Sequence, residues 1–234
     1  MTALEMSLEF DLLYNNIMSN AAPGINDYEK SVLLTKAQEE LVQAIYDGSF
    51  EGSERMRESL NVLIKTVKYD SASGTEETNY AVDSSSKFFQ FPEDAMFIVY
   101  EALEVSKSEK CGDDKQLVLV KPTTHDDYYR TINNPFKKAR KREALRLNVS
   151  IPVKNTETEM LEIVSIYSNY KYVLRYVRKP NPIIIDDLLY GLTINGEDKK
   201  MDCELSTILH RAIVDRAVQL AIAAYKTVSQ DDNN

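Results

Sequence analysis

The chain contains two histidines, the side chain that most often acts as a general base near neutral pH, and a structural role is predicted for each. His125 is followed by Asp126 and Asp127, which could suggest a metal site. Pro122 precedes them, however, so they are predicted to start a short helix whose dipole the carboxylates complement. His210 lies beside the apolar stripe of a C-terminal helix and is predicted to pack or to lie in an interface. We predict no metal site, because no second cluster has metal-ligand spacing.

Other catalytic arrangements have little support in the sequence. Asp186 and Asp187 are adjacent carboxylates, but neighbouring positions in an exposed loop rarely share acid–base work. The chain lacks a glycine-rich phosphate loop and a GxSxG nucleophile elbow. Cys111 and Cys203 are its two cysteines and are predicted to be free thiols. We therefore predict that the protein is not an enzyme and binds no cofactor.

The most distinctive charge feature is a run of basic residues in an acidic chain. The formal net charge is −9, yet five cationic side chains fall within six positions. They are Lys137, Lys138, Arg140, Lys141 and Arg142. The ordinary interpretation is a solvated loop. The functional interpretation is contact with an acidic partner protein or with nucleic acid passing close by.

A second basic set ends a predicted strand. Arg175, Arg178 and Lys179 close the segment YVLRYVRKP, where Tyr172 and Tyr176 are interleaved with the arginines. Aromatic rings between basic residues could form a nucleic-acid surface, although alternation within a strand explains the pattern equally well. The negative net charge argues against a dedicated nucleic-acid-binding protein, which would have to neutralise phosphates over most of one face.

Composition excludes several other classes. Hydrophobic residues make up 43% of the chain and charged residues 28%, which is typical of a globular protein. No apolar run approaches the roughly 20 residues that cross a bilayer, so no membrane contact is expected. The first residues lack the basic segment and apolar core of a secretory signal, which predicts synthesis in the cytosol.

Helical periodicity marks the beginning of the chain. Residues 8–67 are predicted to form three helices, the third extending to the end of this range. Pro23 and Gly24 separate the first two, because neither residue continues a helix easily. Asn26 or Asp27 can cap the second helix by accepting its free N–H groups. The apolar face of the first helix is expected to contain Met6, Phe10, Leu13 and Ile17.

Strand patterns occupy the middle of the chain, and the strongest helix follows them. Helices at the termini with strands between them predict an α+β fold, in which a helical bundle of N- and C-terminal helices carries an inserted antiparallel β-rich extension. Hairpins are expected to pair 96–106 with 116–121 and 160–167 with 170–177. The predicted division is a helical core from 1–67 and 204–228, a β-rich domain at 87–185, loops at 69–86 and 186–203, and a tail at 229–234.

Four segments in this order resemble structural proteins of crAss-like bacteriophages. They are FDLLYNN…SNAAPGINDYEKSVLLTKAQEELVQAIY, KPTTHDDYYRTINNPF, YVLRYVRKPNPIIIDDL and CELSTILHRAIVDRAVQLA. More narrowly, the chain is similar to the ring or adaptor proteins that stack beneath the portal at the head–tail junction. The resemblance covers most of the chain and is weakest at 69–90 and 105–115.

The resemblance implies a virion structural protein that forms a closed ring, a dodecamer, extending the portal channel for genome ejection. Its partners would be further copies of itself, the portal protein and neighbouring tail ring proteins, with DNA only in transit and no membrane. It would be synthesised in the host cytoplasm and located at the head–tail junction of the virion. A closed head-to-tail ring needs two different complementary patches on each subunit, and a basic cluster on an acidic subunit would supply one unlike pair.

Three alternatives remain open on the sequence alone. The first is another virion structural or interaction protein. The second is a DNA-binding regulator that uses the basic residues of 137–142 and 175–179, which predicts a salt-dependent affinity for DNA. The third is a small hydrolase built on His125 or His210 with a carboxylate, which predicts that substituting either histidine abolishes activity without unfolding the chain.

Overall fold

The chain folds into two compact units, one of which is interrupted in sequence by the other. The computed structural model describes residues 1–18, 24–50, 54–75, 80–106, 115–134, 142–153 and 156–231. Met1–Leu63 together with Lys179–Asn234 form one unit, which we call the helical unit. Ile64–Arg178 form the second, which we call the β unit. The fold is therefore mixed α and β, as predicted.

The described residues contain five α-helices and seven β-strands. The helices are α1 (Ala3–Met18), α2 (Asp27–Tyr46), α3 (Glu54–Glu58), α4 (His125–Ile132) and α5 (Thr207–Asp231). The strands are β1 (Ile64–Asp70), β2 (Lys87–Gln90), β3 (Ala95–Ser106), β4 (Lys115–Pro122), β5 (Glu143–Val153), β6 (Thr156–Val164) and β7 (Lys171–Arg178). None of the described helices is long and apolar enough to cross a membrane.

In the helical unit, α5 packs against both α1 and α2. Met6 and Phe10 of α1 are fully buried there, as predicted, and Leu13 is half-buried. Ile17 is 60% exposed, so the predicted apolar face of α1 is not buried along its whole length. Burial on α1 ends at Tyr14, whose ring stacks on Phe10 with centroids 5.9 Å apart, and Ile17 lies in the last turn beyond it.

A capping box starts α2. The side-chain oxygen of Asn26 accepts a hydrogen bond from the Glu29 N–H at 2.8 Å, and the Glu29 carboxylate accepts one from the Asn26 N–H at 3.0 Å. Of the two candidate caps, Asn26 is therefore the N-cap. The pair satisfies two N–H groups that the first turn of a helix leaves without partners.

Three buried polar residues of α2 hold an extended segment that follows β7. The Thr35 hydroxyl accepts from the Ile183 N–H at 3.0 Å, and the Ser31 hydroxyl accepts from the Ile185 N–H at 3.1 Å. The Gln38 amide donates to the Asn181 carbonyl at 2.8 Å. Polar side chains on the buried face of α2 thus bind the main chain of a segment that lies outside the helices and strands.

The β unit is one seven-stranded sheet with the order β1-β7-β3-β4-β5-β6-β2. All neighbouring pairs are antiparallel except β4 and β5, which are parallel. The expectation of a wholly antiparallel extension is therefore wrong at this one pair. The reason is that α4 lies between the two strands in sequence, and a parallel pair requires such a crossover connection.

One of the two predicted hairpins is confirmed and one is wrong. β3 pairs with β4, from Ala102 opposite Leu119 to Ser106 opposite Lys115. β6 does not pair with β7, because the chain leaving β6 attaches to the end of β1 instead. The Ser71 N–H donates to the Tyr170 carbonyl at 2.9 Å, and the Tyr170 N–H donates to the Ser71 hydroxyl at 3.1 Å. β7 consequently pairs with β1 and β3.

The predicted third helix, ending at Val67, is wrong beyond residue 63. α3 is followed by a 3₁₀ turn at Ser59–Leu63, and β1 starts at Ile64. All seven residues of β1 pair with β7, and this pairing outweighs the helical pattern. Tyr69 and Asp70, which the sequence placed in a loop, belong to this strand.

Two further boundaries differ from the predictions. A part of the predicted 69–86 loop is anchored to the sheet, because the buried Glu162 carboxylate accepts from the Val82 N–H at 2.8 Å. α5 starts at Thr207 and continues to Asp231, so the first three residues of the predicted 229–234 tail are helical. Residues 232–234 lie outside the described residues.

Candidate interaction surfaces

The segment between Ile184 and Met201 is an excursion within the helical unit whose two ends are paired. Each of these two residues donates its N–H to the other's carbonyl at 2.9 Å. Further out, the Leu188 N–H donates to the Asp198 carbonyl at 2.8 Å. The Asn195 side chain donates to the carboxylate of Glu39 on α2, also at 2.8 Å. The predicted 186–203 loop is therefore an ordered excursion fixed at several points.

A tight turn in this excursion displays apolar side chains, and we call it the 189–192 turn. The Leu192 N–H donates to the Leu189 carbonyl at 3.2 Å, which closes the turn around Tyr190 and Gly191. Both central residues have positive φ, 60° for the tyrosine and 74° for the glycine. The Tyr190 side chain is 97% exposed, Leu189 is 65% exposed and Leu192 is 43% exposed. A bulky residue at positive φ is strained, and this one gains no burial in return within the described residues.

An open apolar cleft lies where α1, α2 and α5 meet, and we call it the helical cleft. Its volume is about 640 Å³. The residues that form its walls come from all three helices and include Tyr14, Tyr28, Val32, Leu33, Ala221 and Tyr225. Burial, followed by the nearby Tyr225, raises the pKa of Tyr14 above its ordinary value. The walls of the cleft are largely apolar, and three of the residues that form them are tyrosines.

α1 carries a third exposed apolar surface. Leu4, Leu8 and Leu12 are all more than half exposed and recur every four residues, so they form one stripe along the helix. Isolated exposed leucines are ordinary on a protein surface, but a continuous stripe is typical of an interaction site.

In the β unit, a larger and more polar pocket lies beside α4. Its volume is about 740 Å³, and its walls include Thr123, His125, Asp127, Arg130 and Arg146. The His125 Nε2 lies 3.1 Å from the Asn148 carbonyl. Thr124 caps α4, so His125 starts a helix as predicted, with the two aspartates in its first turn.

Arg146 does not present its charge to that pocket as a free cation, because it belongs to a buried network. Its Nε lies 2.9 Å from a Glu101 carboxylate oxygen. Its guanidinium also donates to the Asn148 side chain, and the Tyr172 hydroxyl donates to Glu101. Burial, and then the Glu101 charge, raises the pKa of Tyr172 well above its ordinary value. The network joins β3, β5 and β7 in the interior of the sheet.

His210 and Cys203 have structural settings in the helical unit. The His210 ring is buried, and its Nε2 donates to the Leu205 carbonyl at 2.9 Å while its Nδ1 lies 2.9 Å from the Met1 main-chain nitrogen. Both described partners are main-chain atoms, which is the setting of a packing histidine. The Cys203 thiol donates to the Gln38 side chain at 3.2 Å, and burial raises its pKa to about 11. Cys111 lies outside the described residues.

The basic residues singled out in the sequence do not come together as one described site. Lys137, Lys138, Arg140 and Lys141 lie outside the described residues, and Arg142 is exposed just before β5. Arg175 is exposed on β7 and donates to the Thr66 hydroxyl at 3.2 Å. Arg178 is half-buried at the end of β7, and Lys179 is exposed.

The interleaved tyrosines are not available as a nucleic-acid surface. Tyr172 and Tyr176 are buried in the main core of the β unit, so no base can stack on their rings. The Tyr176 hydroxyl donates to the Asp94 carboxylate at 2.9 Å. Burial, and then this hydrogen bond, raises the pKa of Tyr176 to about 12. β7 is mostly buried, with Lys171 and Arg175 as its exposed residues, so simple alternation describes the strand only in part.

The adjacent aspartates shape the excursion instead of sharing a proton. The Asp187 carboxylate accepts from the Lys200 N–H at 2.8 Å and lies 3.9 Å from the Lys199 ammonium. The Asp186 carboxylate accepts from the Asp187 N–H at 2.9 Å. In the part of the chain that the structure describes, no group of three or more His, Cys, Asp or Glu residues could hold a metal ion.

Comparison with known proteins identifies the family. Residues 1–233 match the family described as phage tail ring protein 3/4. The chain is 38% identical over 231 residues to "Ring protein 3" of Bacteroides phage crAss001, which covers 95% of each chain. It is 37% identical over 236 residues to "Ring protein 4/5" of the same phage, with 97% of this chain and 94% of the relative covered. The chain therefore belongs to the tail ring protein 3/4 family of crAss-like phages, and it is a structural ring protein of the virion and not an enzyme.

Proposed function

We propose that this protein forms a closed ring at the head–tail junction and extends the portal channel through which the genome leaves the capsid. The observation that carries the proposal is the match to two differently named ring proteins of one phage, each over at least 94% of its length. A single phage thus has more than one protein related to this chain over nearly its full length. Such proteins are suited to stack as successive rings of equal symmetry.

The proposed ring is a dodecamer with copies of itself as lateral neighbours. Its axial neighbours are other tail ring proteins and, at one end of the stack, the portal protein. Cyclic closure requires that each subunit offer two unlike surfaces that fit each other. The helical unit has a projecting turn, an open cleft and a leucine stripe, and it is the proposed site of these contacts. The β unit is the proposed extension of the α1, α2 and α5 bundle.

The charge of the chain fits a channel protein. A formal net charge of −9 disfavours lasting contact with DNA, whose phosphates would be repelled by an acidic wall. DNA is therefore a transient occupant of the channel in this proposal. The basic run at 137–142 is proposed to contact an acidic surface of a neighbouring virion protein, which would make that contact sensitive to salt.

Electron cryo-microscopy of intact virions tests the proposal. The expected result is density for this chain in a twelvefold ring below the portal, with the ring coaxial with the channel. Ring-shaped density for this chain elsewhere in the tail would support the ring and contradict its proposed position at the head–tail junction. Absence of the chain from virions would contradict the proposed function altogether.

A further inference from the structure

We propose that the 189–192 turn of one subunit inserts into the helical cleft of the adjacent copy in the ring, with Tyr190 as its central residue. The inference rests on the proposed function, since it specifies the lateral contact of the proposed ring. Both surfaces belong to the helical unit, so every subunit carries one of each. A projecting turn and a receiving cleft form the unlike pair that a head-to-tail contact needs.

The first argument is the conformation of Tyr190. Its φ of 60° is one that L side chains with a Cβ rarely adopt, whereas glycine adopts it readily. The side chain is also almost fully exposed, with two exposed leucines beside it. A strained backbone that presents an aromatic ring to water destabilises the isolated subunit. Strain of this kind persists at sites where the side chain acts on a partner.

The second argument is that the excursion holds the turn in place before any partner binds. The Ile184–Met201 pair, the Leu188 N–H bond to Asp198 and the Asn195 contact with Glu39 fix it at three levels. An apolar group that is already positioned loses less conformational entropy on binding than a mobile one. The 189–192 turn is thus built as a rigid projection.

The third argument is the chemistry of the helical cleft. Its volume of about 640 Å³ is within the range of roughly 300–1,000 Å³ for pockets that enclose drug-sized molecules, which are larger than one tyrosine side chain. Val32, Leu33 and Ala221 offer apolar contact to the ring. Tyr28 and Glu29 also line the cleft and offer polar atoms for the phenol hydroxyl, which a buried tyrosine normally pairs.

The fourth argument concerns the area that the contact buries. A tyrosine buries roughly 150–250 Å², so the turn as a whole falls short of the roughly 800 Å² per partner in a stable complex. Two copies in dilute solution would therefore not form a stable dimer through this contact alone. In a closed ring every subunit uses its turn and its cleft together, and the contacts support one another. The occupant that fits is a second copy held in a ring.

A photo-cross-linker at position 190 tests the contact directly. Phage are grown with p-benzoylphenylalanine in place of Tyr190, and purified virions are irradiated and analysed by mass spectrometry. The expected product is a dimer of this chain in which position 190 is joined to residues 24–33 or 221–225. Position 129 is the matched control, because Tyr129 is also an exposed tyrosine and should not give that product.

The other outcomes separate this inference from the proposed function. A ring that is present in virions but whose position 190 is joined to a different protein, or to nothing, overturns the inference alone. Absence of the chain from any ring of the virion overturns the proposed function, and the inference with it.

Substitution gives a second, independent test. Tyr190→Gly removes the ring and relieves the strain, so the isolated protein should unfold at the same temperature or a higher one. Incorporation into virions should nevertheless fall by at least about tenfold, as expected for loss of a central interface tyrosine. Val32→Glu in the helical cleft should reduce incorporation similarly, while Tyr129→Ala, which keeps a good helix former in α4, serves as the control that should assemble. Normal assembly of the Tyr190→Gly variant would overturn the inference.

Discussion

The Nε atom of Arg146 lies 2.9 Å from a carboxylate oxygen of Glu101, and the two side chains are only 10% and 5% exposed. The pair links β5 to β3 inside the sheet, and Tyr172 on β7 completes it from the other side. The two charges of a buried ion pair attract each other strongly because their surroundings have a low dielectric constant. Removing one of them leaves the other buried and unpaired, which lowers the stability of the fold. This relationship makes the interior of the β unit sensitive to single substitutions.

Removing one member of this pair should destabilise the protein severely. Glu101→Ala leaves the Arg146 charge buried without its carboxylate, and we expect a loss of about 3–5 kcal/mol in the free energy of unfolding. Urea unfolding followed by far-UV circular dichroism measures it. Asp70→Ala is the control, since it removes a carboxylate from an exposed ion pair with Lys171 and should change stability by less than about 1 kcal/mol. Equal effects of the two variants would contradict the prediction.

The Asp94 carboxylate should stabilise the fold at neutral pH and lose this effect in acid. Burial alone would raise the pKa of Asp94, but hydrogen bonds from Lys65 at 2.6 Å and from Tyr176 at 2.9 Å outweigh it and hold the pKa below its usual value. A carboxyl whose folded pKa is lowered stabilises the fold above its unfolded pKa of about 3.9. That contribution is lost as the pH falls through the folded pKa.

Asp94→Asn tests this sign. Compared with the wild type, it should be less stable at pH 7 and should lose less stability between about pH 5 and pH 2. Urea unfolding across that pH range measures both effects. The same substitution at Asp70, which is exposed and lies 3.6 Å from the Lys171 ammonium, provides the control. A parallel pH profile for Asp94→Asn and the wild type would show that Asp94 has no such role.

The Thr35 hydroxyl should anchor the segment that leads into the excursion. Thr35→Val keeps the side-chain shape but leaves the buried Ile183 N–H without its acceptor, which costs about 1–3 kcal/mol. We expect faster amide hydrogen exchange at Ile183 as well as lower overall stability. Thr35→Ser retains the hydroxyl and should preserve the slow exchange of that amide. If valine and serine accelerate exchange equally, the hydrogen bond is not what protects the amide.

The basic run should matter to assembly and little to folding. Replacing Lys137, Lys138, Arg140, Lys141 and Arg142 by glutamine should leave thermal unfolding nearly unchanged and reduce incorporation into virions. A control variant neutralises five scattered cations instead. They are the exposed residues Lys36, Arg55, Arg130, Lys171 and Arg211. If the two variants are incorporated equally well, the run has no specific partner.

Local signals predicted the parts of the fold that local physics determines. Asn26 was a candidate cap because its side chain can accept from the next turn, and His125 was expected to start a helix because Pro122 and two aspartates surround it. The β3–β4 hairpin also follows from short-range patterns. These features depend on neighbours within a few residues, which the sequence displays directly.

Long-range pairing decided the features that the sequence did not predict. Val67 lies in a helical pattern, but the partner strand β7 is about a hundred residues away and overrides it. The two residues of the short 168–169 turn favoured a hairpin, but Ser71 competes for the main chain of Tyr170. Such competition between partners depends on the finished sheet, and no local window of residues contains it.

The candidate interaction surfaces were missed for a related reason. The segment Leu188–Leu192 was interpreted as a loop because of Gly191, and the signal it offered was a set of apolar residues in a polar region. This composition is unusual for a loop, but it does not predict the positive φ of Tyr190. The helical cleft has no sequence signal, because it is a gap between three helices whose facing residues look like any apolar stripe.

The β unit begins and ends at the same place in its own sheet. Its first residue, Ile64, is paired with Val177, which is the residue before its last. Paired residues on adjacent antiparallel strands are only about 5 Å apart, so the entry and exit of this insertion are neighbours. A segment whose two ends lie close together can be lengthened, shortened or replaced by recombination without displacing the chain on either side. Lineages of tail ring proteins could therefore diversify through this insertion while inheriting an unaltered helical framework.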